Sequence, residues 1–224
     1  LNFAEKASYT YGCAVVASVY QKTRLGELYR EWNRLDVAAT LLEEAERICS
    51  IYNIMETLYD SRLFLARTKF ARGDLTGARQ LLDRDDPAIA FFNGISQYLD
   101  NLRSFEVLLL IQAYTAGLIK TIPRIIEDWI ANQKFSVKII PISVDEEERY
   151  LIWVRYLIIT DDCKKALAVL ETCEIGVTNR KRTSRSIELQ MLRGLTLYNM
   201  GETDDGIMEM EKALSLAKPE GYVR

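Results

Sequence analysis

The segment from Leu25 to Cys49 carries apolar or small residues at every third or fourth position on both sides of a polar break at Asn33-Arg34. This spacing predicts two helices, each with one apolar face. Because the break is too short to separate the helices, we expect an antiparallel hairpin with Asp36 in the first turn of its second helix. The apolar positions are Leu25, Leu28, Tyr29 and Trp32 before the break and Leu35, Ala38, Leu42, Ala45 and Cys49 after it.

The same pattern of a break followed by small and apolar residues recurs along the chain. Successive breaks are 40, 44, 44 and 40 residues apart, and a period of this size predicts a helical solenoid. A weaker copy also has Pro123 in the first turn of its second helix. The sets are Asn33 with Ala38, Leu42 and Ala45; Gly73 with Ala78 and Leu82; Gly117 with Ile122, Ile126 and Trp129 in the weaker copy; Asp161 with Ala166, Leu170 and Cys173; and Gly201 with Gly206, Met210 and Ala213.

These repeats predict an all-α fold, a right-handed superhelical solenoid of about five helical hairpins that forms a single domain over residues 1–224. Residues 83–101 are expected to hold one additional short helix. Residues 134–148 alternate like a strand, but no partner strand occurs elsewhere, so we expect a loop broken at Pro141. Asp145 followed by Glu148 is interpreted as a capping box that starts the next helix.

Composition and charge indicate an ordinary soluble globular protein. The 224 residues are 49% hydrophobic and 27% charged, and a net charge of -3 gives no general attraction to nucleic acid or anionic lipid. No apolar run reaches the length of a membrane span and the N-terminus lacks a signal-peptide pattern, so we expect a cytoplasmic protein without a membrane partner. Because Leu1 is not an initiator methionine, we expect a fragment of a longer protein.

The chain offers little to a metal site or to catalysis. It has no histidine, and its four cysteines form no CxxC pair, so we predict no metal and no cofactor in this chain, and buried, reduced thiols. Without histidine or a nucleophile elbow, we predict that it is not an enzyme. The cysteines are Cys13, Cys49, Cys163 and Cys173.

Charged runs have simple structural interpretations. The basic run from Arg180 to Arg185 lacks interleaved aromatic residues, so we interpret it as a solvated loop between hairpins and not as a nucleic-acid site. Three acidic pairs fall at predicted helix starts, where the helix dipole favours negative charge. These pairs are Asp85-Asp86, Asp161-Asp162 and Asp204-Asp205.

The repeat resembles a tetratricopeptide (TPR) repeat, although its period is longer than the usual length of about 34 residues. The segments "LARTKFARGDLTGARQLLD", "RTSRSIELQMLRGLTLYNMGETDDGIMEMEKALSLA" and "AKPEGYVR" are similar to the helical-repeat region of MalT-like regulators, the ATP-dependent LuxR-type transcriptional activators. The resemblance runs from about Val15 to Arg224. Gly206 stands where that family usually has alanine, which leaves the tightness of the fifth hairpin in doubt.

The resemblance implies an effector-sensing arm of a transcriptional regulator. A small inducer or a partner protein would bind the arm and act on modules outside this chain: ATP would bind an N-terminal module, and DNA a C-terminal helix-turn-helix. No G-x-x-x-x-G-K-[ST] phosphate loop occurs in this sequence. A second hypothesis stays open, a general protein-binding scaffold with no small-molecule ligand. The sequence indicates no oligomeric state.

The candidate binding residues follow from the repeat register. The first helices of stacked hairpins line the concave surface of a solenoid, and mixed aromatic and charged side chains there suit a polar ligand or a peptide. The alternative interpretation of each residue is a solvated helix face with pairs such as Glu43 and Arg47. The candidates are Tyr20, Glu27, Arg30, Asp60, Arg67, Phe70, Tyr114, Glu148, Arg155, Glu188 and Tyr198.

Overall fold

The computed structural model describes residues 3–82, 96–141, 143–178 and 183–220. Within these ranges the chain forms ten α-helices and no strand, so the prediction of an all-α, TPR-like helical-repeat fold is confirmed. The additional short helix expected within residues 83–101 falls mainly outside the described residues. The helices are α1 (Phe3–Glu31), α2 (Leu35–Tyr52), α3 (Met55–Ala71), α4 (Leu75–Gln80), α5 (Ser96–Thr115), α6 (Arg124–Asn132), α7 (Val144–Ile159), α8 (Cys163–Thr178), α9 (Thr183–Asn199) and α10 (Thr203–Glu220).

Each predicted break is a residue with left-handed backbone that ends the first helix of a hairpin. The amide of the following residue donates to the carbonyl four residues before the break, at 2.8 to 3.0 Å in all five hairpins. This is the Schellman arrangement, which glycine, asparagine and aspartate adopt at low cost. The φ angles are 58° at Asn33, 86° at Gly73, 72° at Gly117, 63° at Asp161 and 86° at Gly201.

The small and apolar positions after each break form the contact between paired helices. Met210 is half-buried, and the other predicted residues of the four stronger copies are buried. In the third hairpin Ile126 and Trp129 are buried, whereas Ile122 precedes α6. Pro123 is the residue that caps α6, with extended backbone (φ -66°, ψ 138°), and so lies one residue outside the predicted first turn.

The fifth hairpin is held closely because it has glycine on both helices. A Cβ on Gly194 of α9 would lie 2.7 Å from the carbonyl oxygen of Gly206, and a Cβ on Gly206 of α10 would lie 2.8 Å from that of Gly194. Neither distance is compatible with an alanine in the present backbone. Glycine in place of the usual alanine therefore makes this hairpin tighter, and the doubt raised by Gly206 is removed.

The sequence predicts the wrong side of α1 as the one that contacts the partner helix. Leu25, Leu28 and Trp32 are exposed and Tyr29 is half-buried, while Val19, Thr23 and Gly26 are buried. A Cβ on Gly26 would lie 2.5 Å from Cγ of Leu42, so the glycine allows α2 to approach that side of α1. The small residue, and not the row of large apolar residues, sets the contact face.

The predicted loop within residues 134–148 is confirmed up to Pro141, and it is fastened by aromatic side chains. Phe135 stacks on Trp153 of α7 with ring centroids 4.7 Å apart, and it meets the Tyr150 ring edge-on at 5.2 Å. The Tyr150 hydroxyl donates to the carbonyl of Ser136 at 3.2 Å, and Thr172 of α8 donates to the carbonyl of Val137 at 2.7 Å.

The capping box that starts α7 lies two residues earlier than predicted. Ser143 accepts from the amide of Glu146 at 3.1 Å, and the Glu146 carboxylate accepts from the amide of Ser143 at 3.2 Å. The predicted pair, Asp145 and Glu148, has the same spacing but falls inside the helix. Both pairs fit the capping pattern, and the helix begins at the earlier one.

The chain divides into two compact units, with the boundary between Leu102 and Arg103 inside α5. In the first unit α1 packs on α2, α2 on α3 and α3 on α4, and α1 also contacts α3. In the second unit α7 packs on α8, α8 on α9 and α9 on α10, and α7 also contacts α9. First helices of successive hairpins therefore meet within each unit, whereas the single domain over residues 1–224 stays a prediction.

We expect the Gly194→Ala variant to unfold more easily by about 1–3 kcal/mol, because its Cβ meets the backbone of α10. Gly12→Ala is the matched control. Gly12 lies in α1 with nothing within 4 Å of an added Cβ, so alanine there should stabilise by up to about 1 kcal/mol. Urea unfolding followed by circular dichroism measures both. Equal effects of the two substitutions would contradict the close approach of α9 and α10.

Candidate functional site

Seven of the predicted binding residues meet in two clusters, one in each unit. The first-unit cluster joins α1 and α3, and the second-unit cluster joins α7 and α9. Both clusters connect the first helices of neighbouring hairpins, as the repeat register predicts. The first-unit cluster consists of Tyr20, Arg24, Glu27, Asp60, Phe64 and Arg67, and the second-unit cluster of Glu148, Arg155, Arg185 and Glu188.

Arg24 is the centre of the first-unit cluster. Its Nη2 donates to Oδ2 of Asp60 at 2.8 Å, and its Nη1 lies 3.7 Å from Oε2 of Glu27. The guanidinium carbon lies 5.1 Å from the ring centroid of Tyr20 and 5.5 Å from that of Phe64, within the range of cation–π attraction. Arg24 thus links two carboxylates and two aromatic rings from two helices.

The arginines of the first-unit cluster only partly offset the cost of burying its carboxylate charges. Burial raises the pKa of Glu27, and Arg67, Arg30 and Arg24 lower it by less. Burial also raises the pKa of Asp60 more than Arg24 lowers it. The Arg67 Nη1 lies 3.9 Å from Oε1 of Glu27, a long ion pair. Both carboxylates therefore lose more from leaving water than they gain from the arginines.

The second-unit cluster is a compact network of four charges. Arg155 Nη2 donates to Oε1 of Glu188 at 2.7 Å, and Arg185 Nη1 donates to Oε2 of the same residue at 2.5 Å. Arg185 also donates to Glu148. Both oxygens of Glu188 are thus engaged by arginines of two helices, and the charges balance within the cluster.

Electrostatics distinguishes the second-unit cluster from the first. Burial by itself would raise the pKa of Glu188, but Arg155 and Arg185 lower it below its usual range. Glu148 and Glu188 raise the pKa of Arg185 against the effect of burial, and Tyr20 and then Asp60 do the same for the pKa of Arg24. The side chains of the second-unit cluster are 16–29% exposed, against 26–45% for the charged side chains of the first-unit cluster.

The other four predicted residues have different surroundings. Arg30 forms an ion pair with Glu31 on its own helix and lies close enough to Glu27 to lower the pKa of that carboxylate. Phe70 on α3 and Tyr114 on α5 are half-buried, and Tyr198 on α9 is exposed. These three residues are not members of either cluster.

Sequence reasoning missed the two arginines that organise the clusters. Arg24 stands four residues after Tyr20 and three before Glu27, a spacing that places all three on one side of α1. The prediction of a solvated loop is wrong for Arg185: α9 begins at Thr183, and the Arg185 side chain is only 16% exposed. Residues 180–182 of that run lie outside the described residues. The spacing of Arg185 and Glu188 was the available signal.

Three of the four cysteines are buried and weakly reactive. Cys49, Cys163 and Cys173 are buried as expected, but Cys13 is exposed, so the prediction of buried thiols is wrong for that residue. Burial raises the pKa of Cys49 to about 11 and of Cys173 to about 12, so both thiols are protonated and weakly nucleophilic at neutral pH. In the described part of the chain no group of three or more His, Cys, Asp or Glu residues is arranged to hold a metal ion.

The acidic pairs lie close to helix starts where they are described. Asp204 and Asp205 occupy the first turn of α10, as predicted. Asp161 is the left-handed residue of its break, and Asp162 immediately precedes α8. The pair at 85–86 lies outside the described residues. Across the helices that are described, none combines the length and apolarity that a membrane span requires.

Comparison with known proteins gives one finding. The family model described as the MalT-like TPR region matches residues 12–224, nearly the whole chain. No curated protein and no solved structure gives a significant match.

We expect the Glu188→Gln variant to be less stable than the native chain at neutral pH and to approach it in acid. The folded-state pKa of Glu188 is lowered, so its stabilising effect is present above the ordinary pKa of about 4.3 and is lost as pH falls through the folded-state value. Urea unfolding at a series of pH values between about 3 and 7 measures the difference. A difference independent of pH would contradict the ion pairs of Glu188.

The Glu27→Gln variant should show the opposite dependence. The folded-state pKa of Glu27 is raised, so its contribution is favourable below about pH 4.3 and is lost as pH rises through the folded-state value. Glutamine removes the buried charge, and we expect this variant to gain stability relative to the native chain as pH rises. The same unfolding series tests it. A loss of stability at neutral pH would mean that the arginines outweigh burial.

Proposed function

Because the chain belongs to the family of MalT-like TPR regions, we propose that it is the effector-sensing and protein-interaction arm of a MalT-like transcriptional regulator of the LuxR family. In this proposal the regulator is cytoplasmic. Its ATP-binding module and its DNA-binding helix-turn-helix lie outside the present sequence, and a small inducer or a partner protein binds the concave face of the first helices.

We assign the binding site to the first-unit cluster. The observation that carries this assignment is the position of Arg24 between Asp60 and the rings of Tyr20 and Phe64, across two hairpins. Tyr20 is 51% exposed and offers a ring face to a ligand, while the neighbouring guanidinium and carboxylates supply donors and acceptors. A ligand that hydrogen-bonds to Glu27 or Asp60 offsets the cost of burying those charges.

The second-unit cluster has a different role in this proposal. Its two arginines and two glutamates satisfy one another, so a ligand would have to break an existing ion pair to bind. We therefore assign it to holding α7 against α9. Such a connection keeps neighbouring hairpins in a fixed arrangement, which is what an arm needs in order to transmit a change.

The proposed mechanism is a shift between two arrangements of the first and second hairpins. A ligand that touches both α1 and α3 stabilises the arrangement in which its contacts on the two helices are optimal. The flanking modules would respond to that arrangement. A ligand with equal affinity for both arrangements would shift nothing, so differential affinity is the essential property of the inducer.

Titration calorimetry of the chain with a panel of mono- and oligosaccharides and short peptides tests the proposal. For any compound that binds, we expect Tyr20→Ala to weaken binding about tenfold or more through the loss of stacking. Glu43→Ala, an exposed position on α2, is the matched control and should leave affinity unchanged. Equal effects of the two variants would exclude the first-unit cluster as the site.

A second experiment distinguishes the protein-binding scaffold from the small-molecule sensor. The immobilised chain is used to capture proteins in the absence of any small molecule, and the captured set is compared for the native chain and the Arg67→Ala, Tyr114→Ala and Arg155→Ala variants. A specific partner that is lost in these variants, together with no binding in calorimetry, would favour the scaffold over the sensor.

A further inference from the structure

Two buried hydroxyl groups join α1 and α3 beside the first-unit cluster. Oγ1 of Thr23 and Oγ of Ser61 lie 2.9 Å apart, and both residues are fully buried. Each stands next in sequence to a member of the cluster, Thr23 to Arg24 and Ser61 to Asp60. The hydroxyl pair and the ion pair of Arg24 with Asp60 therefore connect the same two helices at the same level.

The hydroxyl pair is satisfied within the protein interior. Thr23 Oγ1 also lies 3.0 Å from the carbonyl oxygen of Val19, and Ser61 Oγ lies 2.6 Å from that of Thr57. These three contacts share two hydroxyl protons, so when one hydroxyl donates across the helices, the other donates to a carbonyl of its own helix. Either arrangement uses both protons and keeps the bond between α1 and α3.

The second unit is apolar at the equivalent positions. Thr23 stands ten residues before its break and Ser61 twelve residues before its own, and the corresponding residues of α7 and α9 are Leu151 and Leu189. Both leucines are buried in one hydrophobic cluster. A leucine gains more from burial than a hydroxyl side chain does, so stability alone does not account for the polar pair in the first unit.

A directional contact between α1 and α3 has a geometric consequence. Apolar packing is non-directional, whereas a hydrogen bond between two hydroxyl groups holds only at about 2.5–3.0 Å. A slide of one residue along the helix axis moves a side chain by about 1.5 Å and would break the bond between Thr23 and Ser61. The hydroxyl pair therefore fixes how α1 lies along α3.

The ion pairs of the first unit need this support more than those of the second. Between α1 and α3, Arg24 donates to Asp60 at 2.8 Å, but the ion pair of Arg67 with Glu27 is long, at 3.9 Å. Between α7 and α9, both ion pairs of the second-unit cluster are hydrogen-bonded. Charges alone thus hold the first helices more firmly in the second unit than in the first.

We propose, on the basis of the proposed function, that Thr23 and Ser61 are positioning residues of the ligand site in the first-unit cluster. Their hydrogen bond fixes the register of α1 against α3, and so keeps the guanidinium of Arg24 against Asp60 and beside the two aromatic rings. Both hydroxyl residues are buried, so they act through Arg24 and not by touching the ligand.

Titration of Asp60 by NMR in the full 224-residue chain tests this role. Burial raises the pKa of Asp60, Arg24 lowers it, and Glu56, on the same helix as Asp60, raises it. We expect Arg24→Gln to raise the pKa of Asp60 in the native chain. In the Thr23→Val and Ser61→Ala backgrounds the same change should raise it less, because the guanidinium is no longer held in place. Comparing Arg24→Gln within each background cancels the effect of the background substitution on burial.

Two further variants make the titration specific. Thr23→Ser keeps the hydroxyl and should restore the full effect of Arg24→Gln. Thr68→Val is the matched control: Thr68 is equally buried on α3, but its hydroxyl donates to the carbonyl of Phe64 in its own helix, at 2.8 Å, so this background should leave the effect unchanged. An equal effect of Arg24→Gln in every background would overturn the positioning role.

The titration needs no ligand, so its outcome is independent of whether the first-unit cluster binds a compound. For a compound that binds in calorimetry, Thr23→Val should weaken binding at least about threefold, and Thr68→Val should not. Unchanged affinity in Thr23→Val would overturn the proposed effect on the site. Failure of every compound to bind, together with the expected titration, would count against the proposed sensor and not against the positioning of Arg24.

Discussion

The fold depends on the close approach of two helix backbones at one small residue in four of the five hairpins. Ala38, Ala78, Ala166 and Gly206 hold this position in four hairpins, and all are buried. Because a side chain that stops at Cβ, or lacks one, lets the helix axes come together, the larger residue one turn later can reach the partner helix. The left-handed residue five positions earlier ends the first helix and reverses the chain, so that the small residue of the second helix lies against the first. These two features recur together, so each hairpin is specified by its own short stretch of sequence.

Repetition of the hairpin brings the same positions of successive first helices together. In four of the five hairpins the residue thirteen positions before the break belongs to a cluster: Tyr20, Asp60, Glu148 and Glu188. Each cluster also contains two arginines and two carboxylates. Their surroundings differ: aromatic rings flank Arg24, while the carboxylates of Glu148 and Glu188 flank Arg185. The same repeat positions thus form a cluster that is partly accessible to solvent in the first unit. In the second unit they form a network whose arginines and glutamates pair with one another.

The parts of the structure that depend on local chemistry were predictable from the sequence. The five breaks were predictable from the sequence, because a Schellman turn needs only a residue tolerant of left-handed backbone after an amphipathic helix. The side of α1 that faces α2 was not predictable from the sequence. Leu25 and Gly26 are adjacent, and the packing of Leu42 decides which of them faces α2. The start of α7 was ambiguous for a similar reason, since Ser143 and Asp145 both stand three residues before a glutamate. Arg185 was misassigned because its role depends on residues 37 positions away.

The described residues 133–141 between α6 and α7 form neither helix nor strand, yet side chains of α7 and α8 hold three successive residues of this segment. Phe135 is held by the rings of Trp153 and Tyr150, Ser136 by the Tyr150 hydroxyl, and Val137 by Thr172. These contacts restrict the movement of this part of the connection relative to α7 and α8. Residues 135–137 thus connect the end of α6 to both α7 and α8, so a displacement of α6 would act on both helices through these contacts.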